Sequence, residues 1–250
     1  ANAQSLGVPT ESAHIEDFDW TSEVGTVDAD TAYKFGKREF IPHPLSKIIL
    51  VSDKLMASAL KSPETLVLDQ LAYKKGLTEE KAFMTGTGAN QPLGIFTADD
   101  NGISTDRDYS TGNTTTEIRT DNLIDQVYNI KPQYRNNLAW IMHTSAIKMI
   151  RKLKNGMGDY IWQAGLNGNP DTLLGFSIYE SQNAPSTFTT GKYVGILGNF
   201  KNYWIVDSIA SQIKKLNELY ALTGQVAFLS KSYTDGMPVD ENAFSRIKLG

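Results

Sequence analysis

Residues 83–96 read F-M-T-G-T-G-A-N-Q-P-L-G-I-F, three glycines and a proline set between a helical pattern and an acidic stretch. Gly86 and Gly88 give the backbone access to positive φ, and Pro92 cannot continue a helix or a central strand. The segment therefore stops one element and turns the chain. Glycine loops also cradle phosphates, so the spacing must be tested against that chemistry. A P-loop needs Lys-Ser or Lys-Thr after its last glycine, whereas Gly94 is followed by Ile95 and Phe96. A dinucleotide fingerprint needs a third glycine three residues after the second; position 91 is Gln, and this loop leaves a helix where a fingerprint would open one. The stop-and-turn reading wins.

The helix that it stops begins at Ser62-Pro63-Glu64, with Ser as N-cap, Pro in the first turn and an acid near the positive end of the dipole. It is expected to run to about Met84. Leu66, Val67, Leu68 and Leu71 occupy more than one face, which predicts burial against a sheet and a neighbour. Gly76 weakens it by about 1 kcal/mol relative to Ala. Upstream, Tyr33 and Phe35 alternate around Lys34, and Ile48, Ile49, Leu50 and Val51 form a β-rich run. Gly25, Asp28 and Asp30 between them supply turn chemistry, so residues 8–50 read as a long two-stranded hairpin. An isolated hairpin is marginal in water, so such an arm needs a surface to lie on. Pro42 and Pro44 fit only at a sheet edge or at the arm's root.

Downstream, residues 99–116 read as a long acidic loop. A helix over 121–130 capped by Thr120, a strand over 139–143 and a helix over 145–154 capped by Thr144 follow. Strands are expected at 176–179, 193–197, 203–207, 212–216 and 225–230. Asp235-Gly236 reads as a tight turn and residues 243–249 as a last strand. The class is α+β, with strands crowded into the C-terminal half.

Composition excludes several chemistries. With 250 residues the chain can bury a sizeable core, and with no cysteine it holds neither a disulfide nor a thiolate metal site. A net charge of −4 disfavours a dedicated nucleic-acid binder. No run of about 18 apolar residues exists, so nothing reads as a membrane span. Residues 1–9 carry neither a basic n-region nor an apolar core and begin without Met, which reads as a cut or processed N-terminus.

His14, His43 and His143 have no second ligand at a metal-binding spacing. Asp99-x-Asn101-Gly102 with Asp108 mimics part of a calcium loop, but the first ligand position is Thr97 and the last is Asp where Glu is wanted. An acidic surface loop is the plainer reading. Lys148, Arg151 and Lys152 form a stripe opposite Ile147 and Ile150, the pattern of a solvated helix face or a charged contact to another subunit. Trp162 and Trp204 would serve a carbohydrate or peptide groove only if both lined it, and their strand context favours core or interface burial. No G-x-S-x-G elbow and no paired carboxylates nominate a catalytic residue or a cofactor. The residues alone describe an α+β protein with an unsupported arm and no chemistry, which leans towards assembly.

The glycine loop, Gly86-Thr87-Gly88-Ala89-Asn90-Gln91-Pro92-Leu93-Gly94-Ile95, resembles the G-x-G-x-x-Q-P-x-G-I signature of tailed-bacteriophage major capsid proteins with the HK97-type fold. K-I-I-L-V-S-D-K-L at 47–55 is similar to the family's strand before its long helix, and Y-R-N-N-L-A-W-I-M at 134–142 to a later strand. Leu174-Gly175-Phe176, Gly198-Asn199-Phe200, Tyr203 and Ala243-Phe244 match further positions in order. The resemblance implies an extended loop over 8–47 reaching across a neighbour, and a peripheral domain over 48–95 and 208–240 with a spine helix. It implies a mixed-sheet axial domain over 96–207, rejoined by 241–250. It further implies a structural, non-enzymatic subunit without cofactor, made in the bacterial host cytoplasm and resident in the virion. Its partners would be copies of itself in pentamers and hexamers, a scaffolding segment, a maturation protease, a portal, and double-stranded DNA held without sequence-specific contact. No membrane partner is expected.

Two departures from the family pattern stand out. The chain starts almost at the extended loop, so the scaffolding segment and the arm before that loop were removed, disordered or not included. Some members also link subunits through a lysine on the loop and an asparagine on a neighbour. In Ser22-Glu23-Val24 the aligned position is Val24, and the acceptor region at Leu222-Thr223 has no Asn, so no covalent cross-link is expected; Lys34 and Lys37 are not singled out for that role. The alternatives are a bacterial nanocompartment shell of the same fold and a calcium-dependent enzyme using residues 99–108.

Overall fold

A computed structural model describes residues 5–13, 34–58, 63–154, 156–160, 162 and 172–250. The first part of the chain forms β1 (Leu6–Ala13), β2 (Lys34–Phe40), β3 (His43–Ser52), α1 (Asp53–Ser58) and α2 (Pro63–Thr85). Then come β4 (Asp108–Tyr109), α3 (Thr120–Asn129), β5 (Ala139–Met142), α4 (Thr144–Arg151), β6 (Thr172–Leu173) and β7 (Phe176–Glu180). The last strands are β8 (Tyr193–Gly198), β9 (Tyr203–Leu216), β10 (Gln225–Pro238) and β11 (Phe244–Lys248). They build three sheets: β1-β2, β3-β10-β9 and the mixed six-stranded β4-β11-β8-β5-β7-β6.

The arm is a sheet of its own. β1 and β2 pair antiparallel from Leu6 opposite Phe40 to Ala13 opposite Lys34. The turn residues Gly25, Asp28 and Asp30, with His14, Val24 and Tyr33, lie outside the described residues. At the root Phe40 is buried, and the Ile41 N–H donates to Asp235 Oδ2 at 2.8 Å, fastening the arm to β10. The run at Ile48–Val51 belongs elsewhere than in the arm: it pairs with β10, Val51 opposite Val226. There Val51 shares a small core with Phe228 and Leu71, burial that the thin arm does not provide. Pro44 sits on β3, an edge strand, and Pro42 between β2 and β3.

α2 matches its expected span, and its N-cap Ser62 lies outside the described residues. Its burial differs. Only Leu71 is buried, while Leu66 and Tyr73 are 55% and 60% exposed. One side rests on the sheet, and among the described residues no second layer covers the other.

Six local expectations are corrected. Residues 203–216 make one strand without a break, because irregularities opposite Lys231–Thr234 absorb the register change. Asp235-Gly236 is no turn: β10 runs through it, and a Cβ on Gly236 would stand 2.8 Å from Tyr203 Oη and 3.1 Å from Phe83 Cε1. The glycine answers close approach. α3 starts at Thr120 after Arg119, with no side-chain cap, and α4 is capped by His143, whose side chain accepts the Ser145 N–H, while Thr144 Oγ1 turns to Glu180. α4 also ends at Arg151, short of Lys154. The 99–116 loop is partly structured: Thr105–Arg107 forms a 3₁₀ turn and β4 pairs parallel with β11.

The six-stranded sheet has two apolar faces. On one, Ile118, Leu123, Trp140, Ile150, Leu197 and Ile247 pack together with α3 and α4; Trp140 Nε1 donates to Leu173 O at 3.1 Å. On the other lie Ile95, Phe96, Ile103, Ile196 and Phe244. The glycine loop's exit thus feeds straight into this second core.

Candidate functional site

The glycine loop closes on itself. N–H groups of Ile95 and Phe96 donate to the carbonyls of Phe83 and Met84 at 3.0 and 2.9 Å, satisfying orphan acceptors at the end of α2. Gly94 N–H donates to Gly86 O at 2.9 Å, and Thr97 Oγ1 donates to the same oxygen at 2.7 Å. Gly88 takes φ of 76°, as the sequence suggests. Gly86 serves another purpose: a Cβ there would lie 2.2 Å from Pro92 O, and one on Gly94 would lie 2.6 Å from three backbone atoms of residues 84–86. The donors of Gly86, Gly88 and residues 93–97 all reach backbone carbonyls, so these N–H groups are not turned towards a phosphate.

Two further contacts fix the loop to the three-stranded sheet. Leu93 N–H donates to Gly236 O at 2.8 Å, and Tyr203 Oη donates to Leu93 O at 2.9 Å. Burial pushes the Tyr203 hydroxyl well above its usual range, with the Asp235 charge adding to it. Sequence reasoning missed Gly236 and Tyr203 as partners of this loop, since both lie over 100 residues away.

A buried charge cluster stands at the loop's exit. Arg246 is fully buried; Nε donates to Asp108 Oδ1 at 2.7 Å, Nη1 to Thr97 O at 3.0 Å and Nη2 to Ser104 O at 2.6 Å. Tyr193 Oη donates to Asp108 Oδ2 at 2.8 Å, with its ring centroid 4.5 Å from Arg246 Cζ. Asp108 is therefore engaged by a cation, while Asp99 Oδ1 accepts the Asn101 N–H at 2.7 Å in a local turn. Among the described residues no three His, Cys, Asp or Glu side chains are grouped to hold a metal ion.

The remaining candidates lie apart. Lys148, Arg151 and Lys152 are exposed along α4, and the Arg151 guanidinium stands 4.8 Å from the half-buried Trp162 ring. Trp204 is 44% exposed on β9, so of the core or interface burial expected for it the core of its own chain is not the place. Leu66 and Tyr73 on α2, Ile48 and Leu50 on β3, and Ile205 beside Trp204 also face outward. A groove runs between α2 and β3, with about 470 Å³ of space at the end near His43 and about 410 Å³ towards Leu71; Leu45 and Thr78 border both.

A two-stranded arm that joins no other sheet among the described residues, a spine helix covered on one side and outward apolar residues define a subunit made to associate. The chain belongs to the phage capsid family, whose model matches residues 1–249. It is a structural protein of the HK97-type fold, a shell subunit of a tailed-phage head. Solved structures agree on the fold. The capsid of a native GTA particle computed with C5 symmetry matches at 22% identity and TM-score 0.87, over 100% of this chain and 86% of that one. Mycobacterium phage Adephagia matches at 12% identity and TM-score 0.72, over 100% and 86%. The holo-SrpI encapsulin complex from Synechococcus elongatus PCC 7942 is also similar, at 12% identity and TM-score 0.64 over 99% and 82%. No curated protein matches the chain.

Proposed function

We propose that this subunit builds an icosahedral head around double-stranded DNA, touching the nucleic acid without reading its sequence and catalysing nothing. The observation that carries this is the β1–β2 arm, a two-stranded sheet fastened to its own subunit at Phe40 and Ile41. A hairpin of that size is marginal by itself and is stabilised by lying on a neighbour. Residues 8–47 are the intersubunit loop, 48–95 with 208–240 the peripheral domain, and 96–207 with 241–250 the axial domain that meets its copies in pentamers and hexamers. Many modest contacts of this kind gain strength from high effective concentration within a closed shell. A scaffolding segment, a maturation protease and a portal are its assembly partners, and it is made in the host cytoplasm before it enters the virion.

The weakly acidic chain suits a wall that does not grip packaged phosphates. Asp99, Asn101 and Asp108 serve the fold and hold no calcium: a calcium titration is expected to give no heat and no shift in thermal midpoint. The function is tested by sedimentation of the protein with and without residues 8–35, a deletion that keeps Phe40 and Ile41. The intact chain is expected to form rings or shells and the shortened one to shift to small species. Equal sedimentation of the two would remove the arm from assembly.

A further inference from the structure

We propose that Arg38 clamps the root of the arm to its own subunit by charge, and so sets the arm's direction before any neighbour meets it; this rests on the shell-subunit reading above. The alternation of β2 places the residue. Lys37 and Glu39 share one face, where Lys37 Nζ stands 4.0 Å from Glu39 Oε1 and Ser5 Oγ donates to the same oxygen at 2.6 Å. Those two charges are matched within the arm. Arg38 and Phe40 share the other face, which turns to the body. Phe40 is buried and Arg38 half-buried, with its Nη1 fully enclosed.

What Arg38 meets there is a fixed patch of negative charge. Burial lowers the pKa of its guanidinium from the ordinary value, and the charges of Glu241, Asp99 and Asp240 oppose that shift. Each of these carboxylates is oriented by a backbone N–H of the body. Glu241 Oε2 accepts from Ser104 at 3.1 Å, Asp99 Oδ1 from Asn101 at 2.7 Å and Asp240 Oδ1 from Asn242 at 2.9 Å. None of the three belongs to the arm: Asp99 follows the glycine loop, and residues 240–241 lie between β10 and β11.

The hold acts through charge, without a fitted contact. Arg38 Nη1 meets no hydrogen-bond acceptor among the described residues. A space of about 490 Å³ lies between the root and the glycine loop, bordered by Arg38, Ile41, Ala89, Leu93, Asp99 and Asp235. A buried cation without a bonded partner is costly, and nearby carboxylates offset that cost. Phe40 and Ile41 are adjacent anchors and leave the arm free to pivot. A third point two residues along β2, about 7 Å away, fixes its direction. An arm so preset loses less freedom on docking.

The test is amide hydrogen exchange of the full chain, diluted until it is unassembled, read over residues 36–41 by mass spectrometry. R38Q is expected to exchange at least about fivefold faster than wild type and R38K within about twofold of it, because the charge holds the root and no bond needs the guanidinium fork. E241Q keeps an oxygen for the Ser104 N–H and removes a charge; it should speed exchange in wild type and add nothing in R38Q. Salt at about 1 M should bring wild type to the R38Q rate and leave R38Q unchanged. Wild-type rates in R38Q, equal loss in R38K and R38Q, or indifference to salt would each overturn the clamp and leave the shell reading standing. A clamp that holds in a chain that never assembles overturns the shell reading instead.

Discussion

Arg246 on β11 and Asp108 on β4 stand opposite each other in parallel register, and Arg246 Nε donates to Asp108 Oδ1 at 2.7 Å. The same guanidinium serves Thr97 O and Ser104 O, so one buried cation ties the glycine loop's exit and the 99–116 loop to the last strand. Asp108→Asn keeps the shape and removes the countercharge. An uncompensated buried charge is expected to cost about 3–5 kcal/mol. Urea unfolding should show a lower midpoint at unchanged slope. A loss within about 0.5 kcal/mol, the range of an ordinary surface substitution, would contradict the role given to this pair.

Two glycines of the same region should respond oppositely. A Cβ at Gly76 meets nothing within 4 Å, so Gly76→Ala inside α2 is expected to stabilise by about 1 kcal/mol. At Gly94 a Cβ meets Gly86 N, Met84 O and Thr85 N at 2.6 Å, all of them backbone. Gly94→Ala is expected to destabilise by about 1–3 kcal/mol or more. Thermal midpoints that move in the same direction for both would refute the close-approach account.

Alkaline pH tests the Tyr193 contact. Burial, then the hydrogen bond to Asp108, push the Tyr193 hydroxyl up to about 12 from an ordinary value of 10.0. The folded state holds this proton more tightly than the unfolded chain. Its contribution is therefore complete below pH 10 and lost as pH rises towards about 12. Tyr193→Phe keeps the ring over Arg246 and deletes the titration. The stability difference between wild type and variant should shrink across that window; curves that stay parallel would exclude it.

Particles boiled in detergent should run as single chains on a denaturing gel. Val24 offers no amine, and Leu222 and Thr223 offer no carboxamide, Thr223 Oγ1 donating instead to Tyr220 O at 2.9 Å. A ladder of covalent oligomers would show a link through other residues.

Much of this was legible in local chemistry. Pro63 and Glu64 announced α2, Pro92 and the glycines its end, and the alternation over 243–249 the last strand, observed at Phe244–Lys248. Pairing was not legible, because Ile48–Val51 reads identically whether its partner is the arm or β10. Gly236 looked like a turn residue, since Asp-Gly is a turn signal and the ring of Tyr203 that excludes a Cβ is 33 positions away in sequence. The exposed side of α2 was read as buried because periodicity marks apolar faces without saying whether the same chain or another copy covers them. Asp108 was read with Asp99 by nearness in sequence, and its partner Arg246 lies 138 residues on.

The central claim is that this chain builds shells. Electron microscopy of the full-length protein expressed alone tests it most directly. Closed shells or capsomer rings are the predicted result, and a strictly monomeric protein at high concentration would contradict it.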